Sequence, residues 1–250
     1  MIIPKKIHFC WFGEKPLPKS VEKCIRSWKK FCPDYEIIRW DESNFDVSSN
    51  LYAREALENK KYAFVSDYAR LKILYDNGGI YMDTDVELIK PLDDLLSYNG
   101  YMGFEKGVFI DDNERVCEIA SGLGMGAEKG NEIIAAMLSD YDDISFVDKD
   151  GNFDTTTCPF RNTQTLKKIG FITNGKMQNI NGFCILPYDY LAPMDLITRK
   201  ITITENTYSI HHYDGSYHTR RDRFNMFTAR IYVSKPYLFL KKIKRSIIKK

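Results

Sequence analysis

The stretch that most constrains this chain runs from Lys60 to Leu88: KKYAFVSDYARLKILYDNGGIYMDTDVEL. Residues 51–77 read as helical, with Phe64, Leu71, Leu74 and Tyr75 on one stripe. Gly78-Gly79 stops the helix, because glycine accepts the left-handed backbone that closes a last turn. The apolar IYM at 80–82 then starts a strand. Helix running straight into strand predicts an α/β layer. Where that strand runs out, the chain places two carboxylates, Asp83 and Asp85.

The N-terminal part repeats the theme. KIHFCWF (6–12) reads as a buried strand, and VEKCIRSWKKF as a helix capped by Ser20. YEIIRW (35–40) reads as a second strand. Further on, YMGFE and GVFI read as short strands, and NEIIAAML and NTQTLKKIG as helices. GFCILPYDYL and the alternating KITITENTYSIHHY (200–213) read as strands. No internal repeat or Gly/Ser linker divides the chain. One domain over 1–234, followed by a basic tail, is the simplest organisation.

Charge locates that boundary. Residues 235–250, KPYLFLKKIKRSIIKK, hold seven Lys or Arg and no acid, so the other 234 positions carry a net −5. The main body is thus no basic groove for nucleic acid. In the tail, Leu240, Ile243 and Ile247 fall at helical spacing among basic residues, the pattern of an interfacial helix drawn to anionic lipid. The start has neither a charged n-region nor a long apolar core, and no run reaches about 18 apolar residues. The chain is therefore expected in the cytosol, peripheral at the inner face of the cell membrane. Its six cysteines form no C-x-x-C pair and read as buried free thiols.

A D-x-D spacing is common, and this chain has two more, Asp140/Asp142 and Asp148/Asp150. Those lie in a polar stretch with no strand in front and read as solvated surface. Asp83 and Asp85 sit between GGIYM and VELI, where a carboxylate needs a partner or a metal. In an extended segment, residues i and i+2 face one side. Both can then serve a hard divalent cation such as Mg²⁺ or Mn²⁺, commonly shared with substrate phosphates. Two turn carboxylates capping the next element is the competing account. Ser66, Asp67 and Arg70 lie on the helix upstream, with Asp67 and Arg70 three apart on one face. An arginine there offers a planar fork to phosphate oxygens. In SIHHYDGSY, adjacent His211 and His212 point to opposite faces of a strand, so at most one reaches a given metal. Gly215 and Ser216 let backbone approach a phosphate. The glycines of SGLGMG (121–126) suit either a close approach to a donor sugar or a tight turn.

The stretches IPKKIHFCWFG, FVSDYARLKILYDNGG, IYMDTDVE and ITENTYSIHHYDGSY together resemble the DXD-containing sugar transferases of glycosyltransferase family 32. The likeness is closest to bacterial members of capsule and exopolysaccharide synthesis, and extends distantly to the glucosylating clostridial toxins. The resemblance implies a GT-A fold, a nucleotide-diphosphate sugar donor of the UDP-linked kind, a saccharide acceptor and a retaining transfer. It also implies a divalent metal, Mn²⁺ or Mg²⁺. It assigns Asp83, Asp85 and His212 to the metal, Trp11 to the base, and Ser66 and Tyr81 to the nucleoside side. Asp67 would hold the donor sugar, Arg70 the diphosphate, and Ser216 and Tyr217 the phosphates. Many relatives have G-S-W where this chain has Gly215-Ser216-Tyr217, which removes an indole N–H. A nucleotide-sugar hydrolase, or a sugar-nucleotide-binding component without catalysis, are the alternatives.

Overall fold

The computed structural model describes residues 3–105, 108–109, 115–195 and 198–214. Strands in chain order are β1 (Lys6–Cys10), β2 (Glu36–Trp40), β3 (Gly79–Tyr81), β4 (Val86–Leu88), β5 (Gly100–Phe104), β6 (Val108–Phe109), β7 (Arg115–Val116), β8 (Ile119–Ala120), β9 (Met125–Ala127), β10 (Gln178–Ile180), β11 (Phe183–Leu186) and β12 (Ser209–His211). The helices are α1 (Lys19–Phe31), α2 (Leu51–Glu58), α3 (Tyr62–Asn77), α4 (Glu132–Ser139), α5 (Cys158–Lys168) and the short α6 (Tyr188–Leu191).

An eight-stranded sheet forms the middle layer, in the order β10-β11-β5-β9-β3-β1-β2, with β8 added beside β5. β2, β1 and β3 are parallel, and β9 runs antiparallel between β3 and β5. Helices cover both faces, as the alternation along the strands shows. Ile7, Phe9 and Ile80 join Trp28 of α1 in one core, whereas Cys10 and Tyr81 join Leu71 and Leu74 of α3 in the other. Strands buried on both faces read as continuous apolar runs, which is why β1 and β3 were legible. This is the α/β class expected from the sequence.

On β1, one strand in from the β2 edge of the sheet, His8 is fully buried. Its Nε2 donates to Gly78 O at 2.9 Å, and its Nδ1 accepts from Trp40 Nε1 at 3.1 Å. Burial pushes its pKa down to about 4, so it serves as a neutral strut. A Cβ on Gly79 would lie 2.8 Å from that Nε2, so the glycine pair ends α3 and also makes room for the histidine.

Several local expectations need correction. The helical stretch 51–77 is two helices. Lys60 N donates to Leu57 O and Lys61 N to Ala56 O, with Lys60 at φ 57°: a Schellman closure without glycine. α1 begins at Lys19 after Pro18 with no side-chain cap, so Ser20 does not cap it. GFCILPYDYL is strand only to Leu186 and then turns into α6. KITITENTYSIHHY is strand only at Ser209–His211, because its partner β4 is three residues long. Ile201 and Ile203 are exposed instead. The 234/235 boundary and the tail lie outside the described residues.

Candidate active site

The Asp pair rides on a turn, not on extended chain. Val86 N donates to Asp83 O at 3.1 Å, closing residues 83–86. Asp83 N donates to Gly122 O at 2.9 Å, and His212 N to Asp85 O at 2.9 Å. The carboxylates converge because these three backbone bonds hold the turn against the 121–123 segment and against the chain after β12. β12 pairs antiparallel with β4, His211 opposite Val86.

Each carboxylate has its own partner. Asp83 Oδ1 accepts from Arg70 Nη2 and from Tyr81 Oη, both at 3.1 Å. Asp85 Oδ1 accepts from His211 Nε2 at 3.0 Å, and its Oδ2 from Asp214 N at 2.9 Å. Burial works against ionisation of Asp85, but the imidazole beside it and these hydrogen bonds outweigh that and bring its pKa to about 2. Burial also opposes charge on His211, and the negative field of Asp85 overrides it, raising that pKa. Oxygens of Asp83 and Asp85 and a ring nitrogen of His211 lie within 4.8 Å of one another. Two carboxylates and an imidazole fit Mn²⁺ or Mg²⁺, with coordination positions left for a ligand's oxygens.

Arg70 is 6 % exposed and held by every edge of its guanidinium. Nε donates to Ser66 O at 3.1 Å, Nη1 to Ser121 Oγ at 3.2 Å, and Nη2 reaches both Asp67 Oδ1 and Asp83 Oδ1 at 3.1 Å. Its cation also lies 5.1 Å from the centre of the Tyr81 ring. Burial pushes the Asp67 carboxyl up to about 6, although Arg70 pulls the other way.

The structure thus brings together Asp67, Arg70, Tyr81, Asp83 and Asp85. It does not bring His212, whose Nε2 pairs with Glu87 Oε2 at 2.8 Å. Adjacent strand residues point to opposite faces, and the β4–β12 register turns His211, not the expected His212, to the Asp pair. Ser66 offers its carbonyl to Arg70, while its hydroxyl bonds back to Tyr62 O at 3.1 Å. Trp11 is half-buried just past β1, its Nε1 donating to Lys15 O at 2.6 Å. Ser216 and Tyr217 lie outside the described residues.

Sequence reasoning missed Ser121 and Cys158, whose Oγ and Sγ lie 3.0 Å apart beside Arg70. It also missed Glu105 at the end of β5. Burial lifts that carboxyl to about 7 in the field of His211, Glu118 and Asp83. Only the glycine run 121–126 hinted at this side of the site. The other two Asp pairs behave as surface. Asp140 meets Thr165 and Lys168, and Asp148 caps its own loop.

The model of a glycosyltransferase sugar-binding region containing the DXD motif matches residues 18–101. Subversion of eukaryotic traffic protein A of Legionella pneumophila is 26% identical over 178 residues, 59% of this chain and 26% of its own length. Inositol phosphoceramide mannosyltransferase 3 of Schizosaccharomyces pombe is 34% identical over 122 residues, covering 42% and 34%. The initiation-specific alpha-1,6-mannosyltransferase of Saccharomyces cerevisiae is 29% identical over 108 residues, covering 39% and 22%. The match therefore spans about a third or less of the length of these relatives. Among solved structures, the PaToxG glycosyltransferase aligns at a TM-score of 0.44 with 21% identity, covering 66% of this chain and 69% of that one. The galactosyltransferase LgtC, in complex with donor and acceptor sugar analogues, aligns at 0.43 with 14% identity, covering 90% and 93%.

Proposed function

We infer that this chain, which carries the DXD-containing sugar-binding region of glycosyltransferases over residues 18–101, is a metal-dependent transferase of GT-A type. It moves a sugar from a nucleotide-diphosphate donor to a saccharide acceptor. The observation that supports this best is the convergence of Asp83, Asp85 and His211 within 4.8 Å, with Arg70 bound to the first of them.

In this reading Asp83, Asp85 and His211 hold the cation. When bound, Mn²⁺ or Mg²⁺ supplies positive charge against the departing diphosphate. Arg70 adds a fixed guanidinium to the same task, already oriented before the donor arrives. Asp67 accepts from donor sugar hydroxyls, Tyr81 steadies Asp83, and Trp11 offers a ring to the base. The bond from the anomeric carbon to the diphosphate oxygen breaks, one to an acceptor hydroxyl oxygen forms with retention, and the hydroxyl proton leaves with the departing diphosphate. The base is read as uracil, and the mannosyltransferase names among the relatives put an activated mannose on the panel of donors to test.

The setting we propose is capsular or exopolysaccharide synthesis in the cytoplasm. There the basic tail meets the inner membrane face and brings the enzyme to a lipid-linked acceptor. Among the described residues, no helix is long and apolar enough to cross a membrane. The test is a panel of labelled nucleotide sugars with Mn²⁺. Label appearing in an acceptor supports transfer. Free sugar alone replaces the proposal with a hydrolase, and binding without either product replaces it with a sugar-nucleotide-binding component.

A further inference from the structure

Against the Asp83–Arg70 pair lies a short turn of 3-10 helix, Ser121–Leu123. Three features tie it to the site. The Gly122 carbonyl accepts from Asp83 N at 2.9 Å. Ser121 Oγ accepts from Arg70 Nη1 at 3.2 Å and is itself 3.0 Å from Cys158 Sγ, which Asn162 Nδ2 also reaches at 3.2 Å. All three of these α5 and turn residues are buried, so the turn is backed by packed helix and not by solvent.

The third feature is an absence of side chain. A Cβ on Gly122 would lie 1.9 Å from Asp83 Oδ2, 2.7 Å from its Cγ and 3.3 Å from Arg70 Nη1. Gly122 is not among the glycines with positive φ, so its backbone conformation does not call for glycine. What calls for it is the carboxylate. Asp83 can escape such a Cβ by rotating its side chain or by shifting as a whole, and its Oδ1 is pinned by Arg70 and Tyr81. Rotation would break those bonds, and a shift of the whole carboxylate would carry it away from Asp85 and His211.

We propose that Ser121–Gly122 is the positioning element of the site: the bare Gly122 fixes where the Asp83 carboxylate stands, and Ser121 fixes the Arg70 guanidinium beside it. One residue thus makes room while its neighbour holds the counter-charge, so that Asp83 serves a cation and Arg70 together. Neither residue touches the reacting atoms. The proposal rests on the metal reading above and adds to it a reason why a glycine stands there.

The experiment titrates Mn²⁺ into the full chain without donor, followed by the electron paramagnetic resonance of free Mn²⁺, for wild type, Gly122→Ala and Ser121→Ala. Thermal melts run in parallel. Gly122→Ala is expected to weaken Mn²⁺ binding roughly 10–100-fold, as loss of a group that orients a metal ligand does, with a melting curve close to wild type. Ser121→Ala leaves the backbone intact. It is expected to keep Mn²⁺ affinity near wild type and to weaken binding of uridine diphosphate in the presence of Mn²⁺. A folded Gly122→Ala that binds Mn²⁺ like wild type overturns the role of Gly122. If Gly122→Ala does not fold, unchanged uridine diphosphate binding by Ser121→Ala overturns the positioning role. A wild-type chain that binds no Mn²⁺ defeats the metal reading itself, which separates the two failures.

Discussion

Asp83-x-Asp85 and Asp148-x-Asp150 share a spacing and nothing else. Asp148 is satisfied entirely by its own loop, accepting from Asp150 N at 2.9 Å, Asn152 N at 2.8 Å and Asn152 Nδ2 at 3.0 Å. Asp83 and Asp85 draw partners 13, 126 and 129 residues away, in Arg70, His211 and the Asp214 amide. A local Asx loop needs only its neighbours, and it spends its oxygens on backbone N–H groups. The other pair is held by groups whose charge and chemistry suit a ligand. The difference lies in long-range partners, which no spacing encodes.

Substitutions can break this comparison, and the largest effect is expected at Asp85. Asp85→Asn should lower turnover at saturating donor and Mn²⁺ by roughly 100- to 1000-fold, the size of losing one electrostatic stabiliser, while circular dichroism stays native. Normal turnover and a normal Mn²⁺ response would remove the distinction. The adjacent histidines come next. His211→Ala should weaken Mn²⁺ binding by at least the roughly 10–100-fold that loss of a group orienting a ligand costs, whereas His212→Ala, which loses a contact to Glu87, should leave the titration in place. Equal effects would mean that the β4–β12 register does not select the ligand.

Acid–base linkage gives the two regions opposite signs. The folded pKa of Asp67, about 6, lies above the unfolded value. Its contribution is therefore fully present below the unfolded value near 3.8 and is lost as pH rises through about 6. The folded pKa of Asp148 is lowered by its loop, so its contribution is present above the unfolded value and lost as pH falls. Asp67→Asn should flatten the denaturation profile between pH 4 and 6, removing up to about 3 kcal/mol of pH dependence. Urea melts across that window measure it, and an unchanged slope would contradict the burial of Asp67. A smaller effect is expected at Trp11. Trp11→Ala should cost about 1–3 kcal/mol of donor binding if the ring stacks on the base, read as a raised donor KM. A lowered Tm with unchanged KM would place Trp11 in the core instead. The smallest effect belongs to the control: Asp148→Asn/Asp150→Asn should leave kcat and the Mn²⁺ response unchanged, with a slightly lower Tm.

What the sequence made legible was what is locally determined. α3, its glycine stop and the Asp pair after β3 follow from periodicity and from backbone freedom at Gly78 and Gly79. The break between α2 and α3 was hidden because Lys60 holds the left-handed position where glycine would have advertised it. The expected strand 200–213 shrank to three residues because strand length is set by a partner, and β4 offers only Val86–Leu88. The choice between His211 and His212 needed the same register. Gly122 was visible as part of a glycine run, but its purpose depends on Asp83, 39 residues upstream, whose carboxylate occupies the space beside it.

The β4–β12 ladder also has a consequence for the order of events when the chain folds. Among the described residues, every pairing of the eight-stranded sheet is made within residues 6–186. The histidine that completes the acidic pair arrives from residue 211, across more than a hundred residues of chain. In free energy this reach is inexpensive, since each doubling of a loop costs only about 0.6 kcal/mol. In time it is not, because a contact of such separation waits for the search that shorter contacts have already finished. During refolding, burial of Trp28 between α1 and the sheet should therefore precede the docking of His211 against Asp85.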